Sequence, residues 1–214
     1  MSLYDRIISR PRPLWANISI SLLLILAPVG AVALDGLWEV IMQQGQWRPL
    51  MTAPVVILYI LAVSRWLAAS DATMLAAFRP VVQIDDEAFE RMVRSASHIS
   101  LAGEIIAISV GMLTGLALSL PWLRGLNTFW LSVYVPLSQV LMIGLLAWII
   151  YGAVVSTRLL TTLHSQPLKV DILDIKPFEP VGRYSLTLSL VFVGGIALGF
   201  VFGMDFTHIF SWQA

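Results

Sequence analysis

The sequence predicts an all-α integral membrane protein, a single membrane domain over residues 1–214 in which five transmembrane helices form one bundle. Hydrophobic residues make up 58% of the chain and charged residues only 12%, whereas about a quarter of the residues of soluble domains are charged. The apolar residues are also concentrated in long runs, and a helix needs about 20 of them to cross a hydrocarbon core. The five runs are Trp15–Leu34, Thr52–Ala69, Leu101–Leu120, Phe129–Gly152 and Ser185–Gly203.

The basic residues predict the orientation of the bundle. Of the thirteen Lys and Arg residues, all but Arg48 and Arg124 lie before the first run, at or after the end of the second, or between the fourth and fifth. Positively charged connections stay in the cytoplasm. We therefore expect a cytoplasmic N-terminus, cytoplasmic loops at 70–100 and 153–184, and a C-terminus outside, in the cytoplasmic (inner) membrane.

The eight tryptophans agree with this orientation. Indole rings prefer the headgroup interface, where the ring is half buried and its N–H can find a partner. We expect Trp15, Trp66 and Trp148 toward the inner face. The remaining five fall at or beyond the outer face: Trp38, Trp47, Trp122, Trp130 and Trp212.

The first run has a second interpretation. A basic segment, an apolar stretch and the small residues Ala31-Val32-Ala33 together resemble a cleavable signal peptide. The apolar stretch is long for the hydrophobic region of a signal peptide, so we favour a retained transmembrane helix. Cleavage would leave four spans and would invert none of them.

The outer connections are short or apolar. In the stretch from Asp35 to Leu50, apolar residues are spaced as one face of a helix, which predicts a helix along the outer surface with Asp35 as its N-cap. An irregular loop is the alternative. Pro121 to Thr128 forms a tight turn, so we expect the third and fourth runs to be antiparallel neighbours.

The first cytoplasmic loop contains a predicted amphipathic helix. The acids at positions 85–87 are typical of a helix start, because they complement the positive end of the helix dipole. Phe89, Met92 and Val93 would then form an apolar face. We expect this helix to lead into the third run.

The second cytoplasmic loop is expected to run extended with short turns, because Pro167, Pro177 and Pro180 interrupt any long helix. The charges of the N-terminal arm and the two loops nearly cancel. A lipid-binding patch needs about four to eight clustered bases, so we expect these segments to pack on one another as a small cytoplasmic cap.

Glu104 is the only acid well within a predicted run. Ionisable residues at membrane depth are costly and often functional, which makes Glu104 a candidate proton or cation site. Arg65 lies at a similar depth, at the cytoplasmic end of the second run. An intramembrane ion pair between Arg65 and Glu104 is the simpler interpretation, and we favour it because no second acid or histidine lies deeper in the membrane.

Two stripes of small residues are the most specific motif in the chain. Glycines spaced by four residues let two helix backbones approach closely in lipid. We expect packing within the protomer, of the third run against the fifth; self-association around a pore is the alternative. The predicted helix-packing residues are Gly103, Gly111 and Gly115 in the third run, and Gly195, Gly199 and Gly203 in the fifth.

The fourth run contains Pro136 and Gln139. Together they could bend the helix and present a polar side chain to a substrate. Proline is common in membrane helices, however, and a lone glutamine often hydrogen-bonds a neighbouring helix. We favour this structural interpretation of both residues.

Metal sites are not expected. No two of His98, His164 and His208 share a spacing that would bind one ion on a helix face. Asp171 and Asp174 form an Asp-x-x-Asp pattern that can bind Mg²⁺ in phosphate chemistry, but no second acidic cluster accompanies them. We predict neither a metal nor another cofactor.

The sequence indicates no enzymatic chemistry. The absence of cysteine excludes thiolate catalysis, and no zinc-protease, serine-hydrolase, P-loop or dinucleotide-binding motif is present. We therefore predict no catalytic residue, although a lipid-modifying enzyme that uses Asp171 and Asp174 is a third hypothesis. A formal net charge of zero argues against nucleic acid as a partner.

Two functional hypotheses follow from these observations. The first is a non-enzymatic membrane module that acts as a scaffold, a sensor-type anchor or an accessory subunit of a membrane complex. Its partners would be the lipid bilayer and either another protein or a second copy of the chain. The alternative is a homo-oligomeric channel or small-solute transporter that is lined by the third and fifth runs.

Overall fold

The computed structural model describes residues 14–80, 82–96, 100–123, 128–165 and 179–203. Helices account for 91% of these residues, and no strand occurs among them. Five of the helices are long and apolar enough to span a membrane, which confirms the all-α, five-helix class. In chain order the helices are α1 (Leu14–Leu34), α2 (Trp38–Gln43), α3 (Trp47–Phe78), α4 (Asp86–Ala96), α5 (Leu101–Leu123), α6 (Phe129–His164) and α7 (Glu179–Gly203).

Helices α3 and α6 form the centre of the bundle. Helix α6 packs against α1, α3 and α5, and α7 packs against α3. The expected pairing of the third and fourth runs is therefore confirmed as the α5–α6 contact. The main core lies where α3, α6 and α7 meet, and its buried residues are Ala53, Val56, Ile57, Ile60, Leu67, Met142, Ile149 and Val191.

Three helices extend well beyond the apolar runs. Helix α3 covers Trp47–Phe78 where the run covers only Thr52–Ala69, and α6 continues to His164. The hydropathy of a run decreases where polar side chains begin, but the helix continues because no proline or glycine interrupts residues 70–78. Helix α7 begins at Glu179, so Pro180 lies in its first turn, where a missing N–H costs nothing. The expectation that Pro180 lies in an extended segment is wrong.

The outer connection between α1 and α3 contains the short helix α2, as one of the two interpretations predicted. Asp35 does not cap this helix, because Leu37 occupies its N-cap without a side-chain hydrogen bond. The Asp35 carboxylate instead accepts hydrogen bonds from the backbone N–H groups of Trp130 (3.1 Å) and Leu131 (2.8 Å). Asp35 therefore caps α6, and it ties the end of α1 to the start of the central helix.

At the opposite end of the bundle, which we predict to be cytoplasmic, α4 forms part of a cap. Its apolar side chains Phe89, Met92 and Val93 pack against a second buried cluster from α3, α6 and α7 that includes Met74 and Leu163. The amphipathic helix predicted from the sequence is confirmed. Arg79 lies over the ring of Phe89 and forms a salt bridge with Asp86, and both contacts join the end of α3 to α4.

Candidate functional site

The glycines of α5 lie in its interface with α6. A Cβ atom built on Gly111 would lie 2.7 Å from both the Ala147 Cβ and the Ile143 carbonyl oxygen. One built on Gly115 would lie 2.6 Å from the Gln139 carbonyl oxygen. Such distances are well below a normal van der Waals contact, so only glycine allows the two backbones to approach this closely.

Gly103 belongs to the same interface, about two turns from Gly111 toward the predicted cytoplasmic end. A Cβ atom there would overlap the Tyr151 hydroxyl group and would lie 2.8 Å from the Ser100 Oγ. The Ser100 Oγ accepts a hydrogen bond from the Gly103 N–H (3.0 Å) and lies 3.5 Å from the Tyr151 hydroxyl. Gly103, Gly111 and Gly115 therefore all face α6. The expectation that this stripe packs against the fifth run, α7, is wrong.

The glycines of α7 behave differently from those of α5. The close contact of this helix is made by Gly194, which the sequence analysis missed: a Cβ atom there would lie 2.5 Å from the Tyr59 hydroxyl of α3. Gly195 has 3.5 Å of clearance from Tyr59 and Gly203 has 4.0 Å from Thr52, while nothing lies within 4 Å of a Cβ atom on Gly199. The tight contact of α7 is therefore not made at the predicted packing residues, which lie next to unfilled volume: Gly195, Gly199 and Gly203.

Glu104 is the most deeply buried ionisable group among the described residues, with 0% of its surface exposed. Its Oε1 accepts a hydrogen bond of 3.2 Å from the indole Nε1 of Trp148 on α6. Trp148 is itself only 4% exposed. The indole lies inside the bundle, where its N–H binds a carboxyl oxygen, and the expected position of Trp148 toward the inner face stays a prediction.

Arg65 and Glu104 lie on different helices of the bundle, α3 and α5. Arg65 is exposed, whereas Glu104 faces the α5–α6 interface. The arrangement that the structure describes for Glu104 is thus a hydrogen-bonded contact to tryptophan. The ion pair with Arg65 stays a prediction.

A second polar contact lies at the meeting point of α3, α6 and α7. The Ser156 hydroxyl of α6 donates a hydrogen bond of 3.2 Å to Asp71 Oδ2 of α3, and the buried Tyr184 hydroxyl of α7 is also a hydrogen-bond partner of this carboxyl group. Asp71 Oδ1 is buried without a hydrogen bond to the described part of the chain. The sequence predicts a loop at Asp71, because the apolar run ends at Ala69. In the structure the helix continues through this residue.

A third interhelical hydrogen bond joins α3 to α7. The Tyr59 hydroxyl donates to the Val191 carbonyl oxygen at 2.7 Å. With the Glu104–Trp148 and Asp71–Ser156 contacts, this bond completes a set in which each neighbouring pair in the order α5–α6–α3–α7 shares at least one polar contact. In lipid, such bonds contribute to helix association together with van der Waals packing, because there is no hydrophobic driving force between the helices.

The structure describes only some of the remaining candidate residues from the sequence. Pro136 lies within α6, and Gln139 lines a cavity between α3 and α6. His98, His208, Asp171 and Asp174 lie outside the described residues, as does the side chain of His164. No group of three or more possible metal-binding side chains occurs within the described ranges.

The fold and these contacts define the class as a polytopic α-helical membrane protein with a bundle of five potential membrane-spanning helices. Glu104, Asp71 and Tyr59 each take part in a hydrogen bond to a neighbouring helix. No protein-family model, curated protein or solved structure matches the chain. Function must therefore be argued from the geometry alone.

Proposed function

We propose that the protein is a non-enzymatic module of the inner membrane, a scaffold or accessory subunit that holds a partner protein at its predicted cytoplasmic face. The observation that supports this proposal is that polar side chains within the bundle are engaged in hydrogen bonds between helices. Glu104, Asp71 and Tyr59 each make a hydrogen bond to a neighbouring helix. These groups fix the order of the helices, as expected of a rigid scaffold.

The cap supplies the surface that a partner would bind. The apolar side of α4 packs against the bundle, while Glu87, Glu90 and Arg91 are exposed on its other side. A charged surface that is held on a rigid support is suited to recognition, because complementary charges select the partner and guide its approach.

The channel hypothesis is less well supported by this arrangement. A pathway within one protomer would require α5 and α7 to lie side by side, but α5 packs on α6 and α7 packs on α3. A pore lined by these two helices would need several copies of the chain. Thr114 on the exposed side of α5 and Gly199 on α7 would then face water.

Native mass measurement in lipid nanodiscs tests the scaffold proposal. The expected result is a complex of defined stoichiometry with a second protein, which the double substitution Glu87→Lys and Glu90→Lys weakens. The matched control is Glu39→Lys, which reverses one exposed acid at the opposite end of the bundle and should leave the complex intact. A chain that is always found alone, or only as copies of itself, would refute the proposal.

Cysteine labelling separates the scaffold from the channel, because the chain contains no cysteine of its own. A scaffold predicts that a membrane-impermeant thiol reagent does not react with Thr114→Cys or Gly199→Cys. Rapid reaction at both positions would favour the oligomeric channel instead. Gln44→Cys, which is exposed in the connection after α2, serves as the reactive control.

A further inference from the structure

The open glycines of α7 border a cavity of about 360 Å³ between α3, α6 and α7. This volume lies within the range of small-molecule sites, about 300–1,000 Å³. The cavity exists because Gly195 and Gly199 bring no side chain into it: a Cβ atom on Gly199 would meet nothing within 4 Å. Apart from Thr52 and the Tyr59 hydroxyl, its described lining is apolar and includes Val56, Met142, Leu146 and Phe192.

A second cavity of about 150 Å³ adjoins the first toward the predicted outer face. Thr52 lines both cavities, which places them end to end along α3. The second cavity is more polar, and its lining includes Gln46, Ser138 and Gln139. None of the described side chains that line the two cavities is Lys, Arg, His, Asp or Glu.

Gln139 is the important polar group in the second cavity. It lines the second cavity from a helix that is long and apolar enough to span a membrane. Polar groups at this depth are costly without a partner. The amide can both donate and accept hydrogen bonds, so it suits a ligand with hydroxyl or carbonyl groups.

We propose that the two cavities together bind one neutral amphiphile, with its hydrocarbon chain in the apolar cavity and its uncharged polar head beside Gln139. The apolar lining excludes a charged or strongly polar chain. Among the described side chains, the outer cavity offers no counter-ion for a phosphate or carboxylate head. The proposal does not depend on the scaffold role.

Photo-crosslinking tests this site. The probe is a monoacylglycerol that carries a diazirine in its acyl chain, added to the full-length protein in phosphatidylcholine nanodiscs. The labelled peptides should come from the α3, α6 and α7 segments that line the apolar cavity. A fatty acid with the same diazirine chain is the charged comparison probe, and at neutral pH it should label these segments about fivefold less, because none of the described side chains in the outer cavity is a counter-ion for its carboxylate.

Two substitutions probe the two halves of the site separately. Gly199→Leu fills the apolar cavity and should reduce labelling by about tenfold. Its matched control is Ala197→Leu, which adds a similar side chain to an exposed position on the same helix and should label like the parent protein. Gln139→Leu should retain labelling of the same segments but reduce the yield with the monoacylglycerol by about fivefold, the effect of roughly one hydrogen bond.

Equal labelling of the lipid-exposed side of α5 and of the cavity segments would overturn the proposal, because it would indicate general contact with lipid. Unchanged labelling in a folded Gly199→Leu protein would do the same. Folding of each variant is checked by its unfolding in SDS. If Gly199→Leu does not fold, the Gln139→Leu comparison decides: an unchanged yield with the monoacylglycerol refutes the role of the amide.

Discussion

Replacing Gly111 with alanine should destabilise the bundle, because the added methyl group has no space. It would lie 2.7 Å from the Ala147 Cβ and from the Ile143 carbonyl oxygen, against about 3.5 Å for an optimal carbon–carbon contact. Helices α5 and α6 must therefore separate by about 0.8 Å. A gap of this size removes about a quarter to a half of the dispersion energy of each contact that it opens.

We expect Gly111→Ala to lower the free energy of unfolding by about 1–3 kcal/mol, the usual cost of overpacking. The assay is reversible unfolding in mixed micelles of increasing SDS content. Gly199→Ala is the matched control, since nothing lies within 4 Å of its added methyl group, and its effect should stay within about 0.5 kcal/mol.

The double variant Gly111→Ala with Ala147→Gly sharpens the test. Removing the Ala147 methyl group eliminates one of the two contacts at 2.7 Å, so the double variant should recover part of the lost stability in a double-mutant cycle. Equal stability of Gly111→Ala and Gly199→Ala would refute the close approach of α5 to α6 that the structure describes at Gly111.

Three further predictions address other contacts. Trp148→Phe removes the indole N–H that binds Glu104 and should lower the free energy of unfolding in SDS by about 1 kcal/mol. The control Trp66→Phe, on an exposed surface, should lower it by less than about 0.5 kcal/mol, and equal effects would contradict the buried hydrogen bond. Asp35→Ala removes the cap of α6 and should cost about 0.5–2 kcal/mol in the same assay, while no change would exclude a capping role. Phe89→Ala should detach α4 from its buried cluster and increase trypsin cleavage at Arg91, and unchanged cleavage would show that the cap is held by other contacts.

Average hydropathy was sufficient to predict the five-helix class, because crossing a membrane places a composition requirement on every span. It was not sufficient to locate the helix ends. Residues 70–78 are part of α3 although they follow the apolar run. This extension hid Asp71, which the sequence assigned to a loop and the structure places in a contact among three helices.

The candidate residues were easier to predict than their partners. The spacing of Gly103, Gly111 and Gly115 correctly indicated a packing surface, but spacing within one helix contains no information on which neighbour faces it. Burial of Glu104 followed from its depth, yet its hydrogen-bond partner Trp148 lies 44 residues later and depends on the α5–α6 register. Gly194 was missed because it lies outside the four-residue stripe of Gly195 and Gly199.

The central claim is that the chain crosses the bilayer with its connections alternating between the two sides. Single cysteines at Gln44 and Gln83, which are exposed before and after α3, test it most directly in oriented membrane vesicles with an impermeant thiol reagent. We predict that Gln83→Cys reacts only from the cytoplasmic side and Gln44→Cys only from the opposite side. Reaction of both positions from the same side would contradict a transmembrane α3 and, with it, the assigned depth of every residue in the bundle.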